Sequence, residues 1–180
     1  ISPWNLPLYL LTWKLAPALA STKHDYLIQF TELFVVGNCV IAKPSELTSL
    51  TAYLLCDLIR EAGIPPGVIN IVFGYGVKAG EALVRHPNVK AISFTGGTVT
   101  GRRIQEIASI SNKKVSLELG GKNANIIFAD CDLETTIATS LRSSFANQGE
   151  ICLCGSRILV ERSLYEEFVG KFKTEVEKLS

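Results

Sequence analysis

Five short runs rich in β-branched residues, separated mostly by stretches of helical spacing, limit what this chain can fold into more than any other feature. They are Cys39–Ala42, Val68–Phe73, Ala91–Phe94, Val115–Leu119 and Ile126–Phe128. Their alternation with helical patterns is that of βαβ units, which predicts an α/β chain with a mostly parallel sheet. The clearest helix follows Ser45, where Leu47, Leu50, Leu54, Leu55, Leu58, Ile59 and Ala62 recur at i, i+3, i+4 and i+7. Ser45 is a suitable N-cap, and Glu46 suits the positive end of the helix dipole. Gly63 and the Pro65-Pro66 pair end the pattern. Further helices are expected near Gly80–Arg85, Gly101–Ser109, Leu133–Phe145 and Leu164–Leu179. Gly120-Gly121-Lys122 breaks two extended stretches, and a domain seam is placed there.

Composition narrows the function classes. At 180 residues and 47% hydrophobic, the chain can bury a core. Its net charge of +1 is scattered, so no basic face is offered to nucleic acid or to an anionic membrane. The apolar stretch Leu6–Ala20 is short for a bilayer span and carries Lys14 and Pro17, so it is expected to be buried against protein. Five irregularly spaced cysteines do not make a disulfide scaffold, and a reducing, cytoplasmic compartment fits them best. The chain lacks methionine and opens in what reads as a strand, Ile1–Trp4, so it is expected to be a piece of a longer protein.

Several motifs sit where ligands bind in α/β folds. Phe94-Thr95-Gly96-Gly97-Thr98-Val99-Thr100-Gly101 leaves an expected strand and opens a helix, where backbone N–H groups and the dipole can receive a phosphate; the same residues could form only a tight turn. Gly74-Tyr75-Gly76, with Gly80, carries the same ambiguity. Lys43-Pro44-Ser45-Glu46 would stand at the carboxyl edge of the sheet, where Glu46 could accept from ribose hydroxyls; a solvated lysine and a helix-dipole carboxylate fit the spacing as well. Glu118, an acid in an apolar strand, is either a buried carboxyl with a raised pKa or a sheet-edge residue facing water. Cys152 and Cys154 lack the second pair that a zinc site needs, so no metal is expected, and packing is the default for Cys39, Cys56 and Cys131. Local sequence leaves open which of Cys152 and Cys154 would react.

Taken together, Pro3-Trp4-Asn5, Lys43-Pro44-Ser45-Glu46, Phe94-Thr95-Gly96, Leu117-Glu118-Leu119-Gly120-Gly121-Lys122 and Phe145-Ala146-Asn147-Gln148-Gly149-Glu150-Ile151-Cys152 resemble the signatures of the aldehyde dehydrogenase superfamily, in that family's order. The continuation Leu153-Cys154-Gly155-Ser156-Arg157 is most similar to a branch that acts on muconic-type semialdehydes.

The resemblance implies the later part of a Rossmann-like NAD-binding domain over residues 1–120, then the start of an α/β catalytic domain over 121–180. It implies NAD as cofactor, a small aldehyde as substrate, and a homo-oligomeric parent protein. By the same resemblance Cys152 is the nucleophile, Glu118 the general base, and the Asn5 amide with the Cys152 backbone N–H the oxyanion hole. Trp4, Lys43, Glu46, Gly76, Gly80, Gly96, Gly97 and Gly101 map to the NAD site, with Lys43 and Glu46 at the adenosine ribose, and Leu119 borders the nicotinamide.

Two departures stand out. Gly97 replaces a serine whose hydroxyl helps hold the pyrophosphate in relatives. Thr22–Val36 separates a helix from a strand that relatives join almost directly, which reads as a retained intron or a surface excursion. A non-catalytic binding or interaction module is the alternative reading of the chain.

Overall fold

The computed structural model describes residues 1–20 and 39–179, so the expected insertion at 22–36 lies outside the described residues. The chain forms two compact units, Ile1–Leu119 and Gly120–Ser180.

The first unit contains α1 (Pro7–Ala20), β1 (Val40–Ala42), a 3-10 turn at Glu46–Thr48, α2 (Ser49–Glu61), β2 (Ile69–Ile71), a π turn at Gly76–Gly80, α3 (Glu81–Arg85), β3 (Ala91–Thr95), α4 (Thr98–Ile110) and β4 (Lys114–Glu118). β1 pairs with β2 and β3 with β4, both parallel, with Val40 opposite Ile69 and Thr95 opposite Glu118. The opening residues, expected to be a strand, are not one. They nonetheless bond on both sides, Ser2 N–H donating to Lys43 O at 3.1 Å and Thr95 N–H to Ile1 O at 3.1 Å. This extended segment thereby links the end of β1 to the end of β3.

Two apolar clusters hold this unit. Phe94, Ile92 and Val84 pack with Ile104, Ile107 and Ala108 of α4, and Val115, Leu117 and Leu119 lie against them. Leu11 and Leu15 of α1 pack with Ala42 and Ala52, flanked by Val40, Leu55, Ile69 and Ile71. Fully burying one such side chain is worth about 1.5–3 kcal/mol.

The helix after Ser45 begins a turn late. Ser45 Oγ accepts from Leu47 N–H and so caps the 3-10 turn, while α2 itself starts at Ser49. It ends at Glu61, just before Gly63, whose φ of +71° carries the chain through the left-handed region. Ile64 N–H then reaches Ile59 O at 3.3 Å and Gly63 N–H reaches Arg60 O at 3.0 Å, satisfying the last carbonyls. The apolar stripe expected to be the core face divides. Ala52 and Leu55 face β1 and β2, but Leu50, Leu54 and Leu58 are exposed. In α1, similarly, only Leu11 and Leu15 are buried, whereas Tyr9 and Trp13 are exposed with ring centroids 5.5 Å apart. Among the described residues no helix is long and apolar enough to cross a membrane.

The second unit contains β5 (Ala124–Ile127), α5 (Leu133–Phe145), a 3-10 turn at Ala146–Gly149, β6 (Arg157–Val160) and α6 (Tyr165–Val176). β5 and β6 pair in parallel, Ala124 opposite Arg157. Ile127, Ile137 and Phe168 form its core, with Phe168 stacked on Phe172 at 5.3 Å. α5 has the expected bounds and is capped by Asp132, which accepts from Glu134 and Thr135 N–H. The β6 strand was not anticipated from the sequence.

Candidate active site

Hydrogen bonding sets the ends of the first unit's strands side by side. Lys43 follows β1, Ser2 bonds to Lys43, Ile1 bonds to Thr95, and Gly96 N–H donates to Glu118 O at 3.0 Å. Lys43, Gly96, Glu118 and Leu119 are therefore brought to one carboxyl edge, the edge at which open parallel sheets bind ligands. Trp4 and Asn5 follow Ser2 after Pro3; Trp4 is exposed and Asn5 half-buried.

Lys43 is the most buried charged side chain described, at 2% exposure. Its Nζ donates to Pro44 O at 2.6 Å and stands 3.7 Å from Glu46 Oε2. Burial pushes its pKa down, and the Glu46 carboxylate offsets part of that. Its methylenes lie against Gly80, where an added Cβ would be 3.6 Å from Lys43 Cδ. Lys43, Glu46 and Gly80 thus form one group. Gly76, at the other end of the π turn, is exposed.

Gly96 and Gly97 lead into α4. Gly97 is its N-cap and supplies no side-chain bond, and Gly97, Thr98 and Val99 are exposed. The first N–H groups of this helix are therefore not capped by a side chain at that position. A Cβ on Gly97 would meet nothing within 4 Å, so a serine would fit there. Gly101, one turn on, sits beneath Leu119.

Glu118 ends β4, a strand whose residues alternate between half-buried and exposed, and Glu118 falls on the exposed side. Of the two readings left open by the sequence, the structure shows the water-facing one. Val115 and Leu117 occupy the core-facing positions, which leaves Glu118 on the opposite face. Its carboxylate also acts on Lys14 of α1, which donates to Ser93 Oγ at 2.7 Å; burial lowers the Lys14 pKa and Glu118 opposes the shift.

In the second unit the two neighbouring thiols differ. Cys154 is 6% exposed and packs near Ala146, whereas Cys152 is half-buried and the more accessible. The turn before them runs through Asn147 (φ 51°), Gln148 (φ 56°) and Gly149 (φ 77°), three consecutive residues in the left-handed region. After them, Gly155 N–H donates to Ser143 O and Ser143 Oγ, each at 3.2 Å, while Ser144 Oγ donates to Gly155 O at 3.0 Å. The side chain of Asn123, which the sequence reading did not single out, bonds to the carbonyls of Cys152 and Cys154. These partners lie some thirty positions from it, so local sequence carried no signal of the contact.

Among the described residues no group of three or more His, Cys, Asp or Glu side chains could hold a metal ion. A cleft of about 960 Å³ lies in the first unit between the α1 residues Leu11, Lys14 and Leu15 and strand residues such as Val40, Ile92 and Ser116, and none of the candidate site residues lines it.

All 180 residues match the family model described as the aldehyde dehydrogenase family. Among curated relatives, the 2-aminomuconic semialdehyde dehydrogenase of Danio rerio is 61% identical over 172 residues, covering 96% of this chain and 32% of the relative. The 2-hydroxymuconic semialdehyde dehydrogenase of Pseudomonas putida is 49% identical over 180 residues, covering 99% of this chain and 34% of that protein. The chain therefore spans about a third of the length of these relatives. Among solved structures, PnpE in complex with nicotinamide adenine dinucleotide superposes with a TM-score of 0.86 at 39% identity, covering 98% of this chain and 33% of that one. An indole-3-acetaldehyde dehydrogenase complexed with NAD⁺ gives a TM-score of 0.87 at 40% identity, covering 99% and 34%.

Proposed function

The chain belongs to the aldehyde dehydrogenase family, and from that premise we propose that the protein oxidises an aldehyde to its carboxylic acid with NAD as cofactor. The observation that carries this reading is the contrast between the paired thiols: Cys152 is accessible on a tied-down loop, while Cys154 is buried packing. Residues 1–120 then serve as the later part of the NAD-binding domain and residues 121–180 as the start of the catalytic domain.

The first unit has features that fit NAD. α4 offers uncapped N–H groups suited to a pyrophosphate, and Lys43 with Glu46 offers a donor and an acceptor suited to a ribose. Gly97 leaves this site one hydroxyl short, because the space for a serine is there and unused. Bound NAD would supply the hydride acceptor.

In the proposed mechanism the Cys152 thiolate attacks the aldehyde carbon, forming a C–S bond and an oxyanion. The Asn5 amide and the Cys152 backbone N–H receive that charge. Once the aldehyde hydrogen has left as hydride, a thioester remains on Cys152. Glu118 takes a proton from water, the hydroxide adds to the thioester, and the C–S bond breaks to return the thiolate and release the acid.

The substrate proposed is a muconic-type semialdehyde, supported by the 61% identity to the Danio rerio relative. We also propose a homo-oligomeric, cytoplasmic parent protein; the five free cysteines suit a reducing compartment.

The test is Cys152→Ser in the full-length protein, assayed for aldehyde-dependent NADH formation across a panel that includes unsaturated semialdehydes. Turnover should be abolished, and Cys154→Ser should retain it. Retained turnover in Cys152→Ser would reassign the nucleophile.

A further inference from the structure

We propose that Asn123 is a positioning residue for Cys152: its side-chain amide grips the Cys152 carbonyl and so sets the direction in which the thiol leaves the backbone. The inference rests on the reading of Cys152 as nucleophile, and the test below separates the two.

Asn123 Nδ2 donates to Cys152 O at 2.6 Å and to Cys154 O at 3.2 Å. One planar amide carries two N–H donors, so a single side chain can hold both carbonyls at once. The holder is itself fixed, because Asn123 O accepts from Arg157 N–H at 3.2 Å where β5 and β6 begin to pair.

The same carbonyl is closed in from another direction. A Cβ added to Gly121 would stand 2.9 Å from Cys152 O, so the chain can pass there only without a side chain. Holding the Cys152 carbonyl fixes the peptide plane between residues 152 and 153, and with it the ψ angle of Cys152. The loop arrives from the left-handed turn at 147–149 and leaves pinned to α5 through Gly155, so the Asn123 bonds occupy the stretch between those two anchors. Asn123 is exposed, and an exposed asparagine without such a role tolerates replacement with little effect.

In the full-length protein, Asn123→Ala removes both bonds, and the isosteric Asn123→Asp turns an oxygen towards each carbonyl. Alkylation of Cys152 by iodoacetamide is followed by peptide mass and divided by that of Cys131 in the same molecule, alongside kcat, the KM for NAD, and Tm. Misplacement of a reacting group by about 1 Å can lower the rate about 10²-fold, so kcat is expected to fall about 10- to 100-fold. The Cys152 to Cys131 labelling ratio should shift about fivefold or more while the KM for NAD stays within about twofold, a split that a loss of packing alone would not produce. A folded variant that keeps both kcat and the labelling ratio within about twofold of the parent overturns the proposal. Should Asn123→Ala not fold, the same outcomes are read on Asn123→Asp and on Gly121→Ala, which act on the same carbonyl. Turnover retained by Cys152→Ser would remove the nucleophile reading instead, whatever Asn123 does.

Discussion

Leu119 lies over the first turn of α4 so closely that a Cβ added to Gly101 would stand 2.5 Å from Leu119 Cδ2. The contact locks the end of β4 to the glycine turn that opens α4. Overpacking at such a point costs about 1–3 kcal/mol. An alanine inside a helix returns about 1 kcal/mol relative to glycine. The strain therefore wins narrowly, and Gly101→Ala is expected to lower Tm. In a Leu119→Ala background the same change should become neutral or stabilising. Thermal melts of the four proteins in this cycle measure the coupling, and equal effects of Gly101→Ala in both backgrounds would contradict it.

Glu81 pairs with Arg85 one turn along α3 and joins α3 to α4 through Arg103. Its carboxylate accepts from Arg85 Nε at 2.8 Å and, in a bidentate pair, from Arg103 Nε and Nη2 at 2.9 and 3.0 Å. Hydrogen bonds from Arg85 and then Arg103 hold its pKa below the ordinary value of 4.5. For a carboxyl so depressed, the stabilisation is fully present above 4.5 and is lost as pH falls through the lower folded-state value. Glu81→Gln is expected to lower Tm at pH 7, with the deficit shrinking in acid and at high salt because both arginines are exposed. A deficit independent of pH from 7 down to about 3 would show that the pair contributes nothing through charge.

The parallel strands were legible because short β-branched runs between helical patterns announce themselves, and α5 was legible because its periodic pattern spans Leu133–Phe145. β6 escaped because Arg157–Val160 is short and gains its identity only by pairing with β5, more than thirty residues away. Periodicity identified α2 yet could not say that Ala52 and Leu55, rather than Leu50, Leu54 and Leu58, would face the strands. In the same way, spacing alone could not separate Cys152 from Cys154. Their difference arises from where Ser143 and Ala146 hold the following residues. Glu118 illustrates the period-2 rule overriding composition: apolar neighbours surround it in sequence, but they point to the other face.

Lys43 is expected to contribute more to ligand binding than to stability. Burial depresses its pKa, so the charged form costs the folded state at neutral pH, and the cost is relieved as pH rises through the folded value towards 10.5. Lys43→Met removes that cost but orphans Pro44 O, a loss of about 1–3 kcal/mol. The two terms oppose each other, so Tm at pH 7 should change little, and the variant should fall further behind the parent at alkaline pH. A hydrogen bond to a charged group is worth about 1.5–3 kcal/mol, so the KM for NAD should rise about tenfold or more. A large fall in Tm with an unchanged KM would make Lys43 structural.

The left-handed turn before Cys152 gives opposite expectations for neighbouring residues. Gly149 has φ +77°, and a Cβ there would lie 3.1 Å from Ser144 O. An alanine in this conformation costs about 1–2 kcal/mol, and the crowded oxygen adds to that, so Gly149→Ala should be clearly destabilising. Gln148, at φ 56°, already bears the left-handed cost as a non-glycine residue. Gln148→Gly relieves about 1–2 kcal/mol of strain in the folded state. It also gives the unfolded chain about 0.5–1 kcal/mol of extra freedom, so stability should rise slightly or not at all. What the glycine should change is the loop: with its conformation less restricted, Cys152 alkylation relative to that of Cys131 should change while Tm holds. If Gln148→Gly instead lowered Tm as much as Gly149→Ala, the turn would owe its shape to the glutamine side chain and not to the backbone.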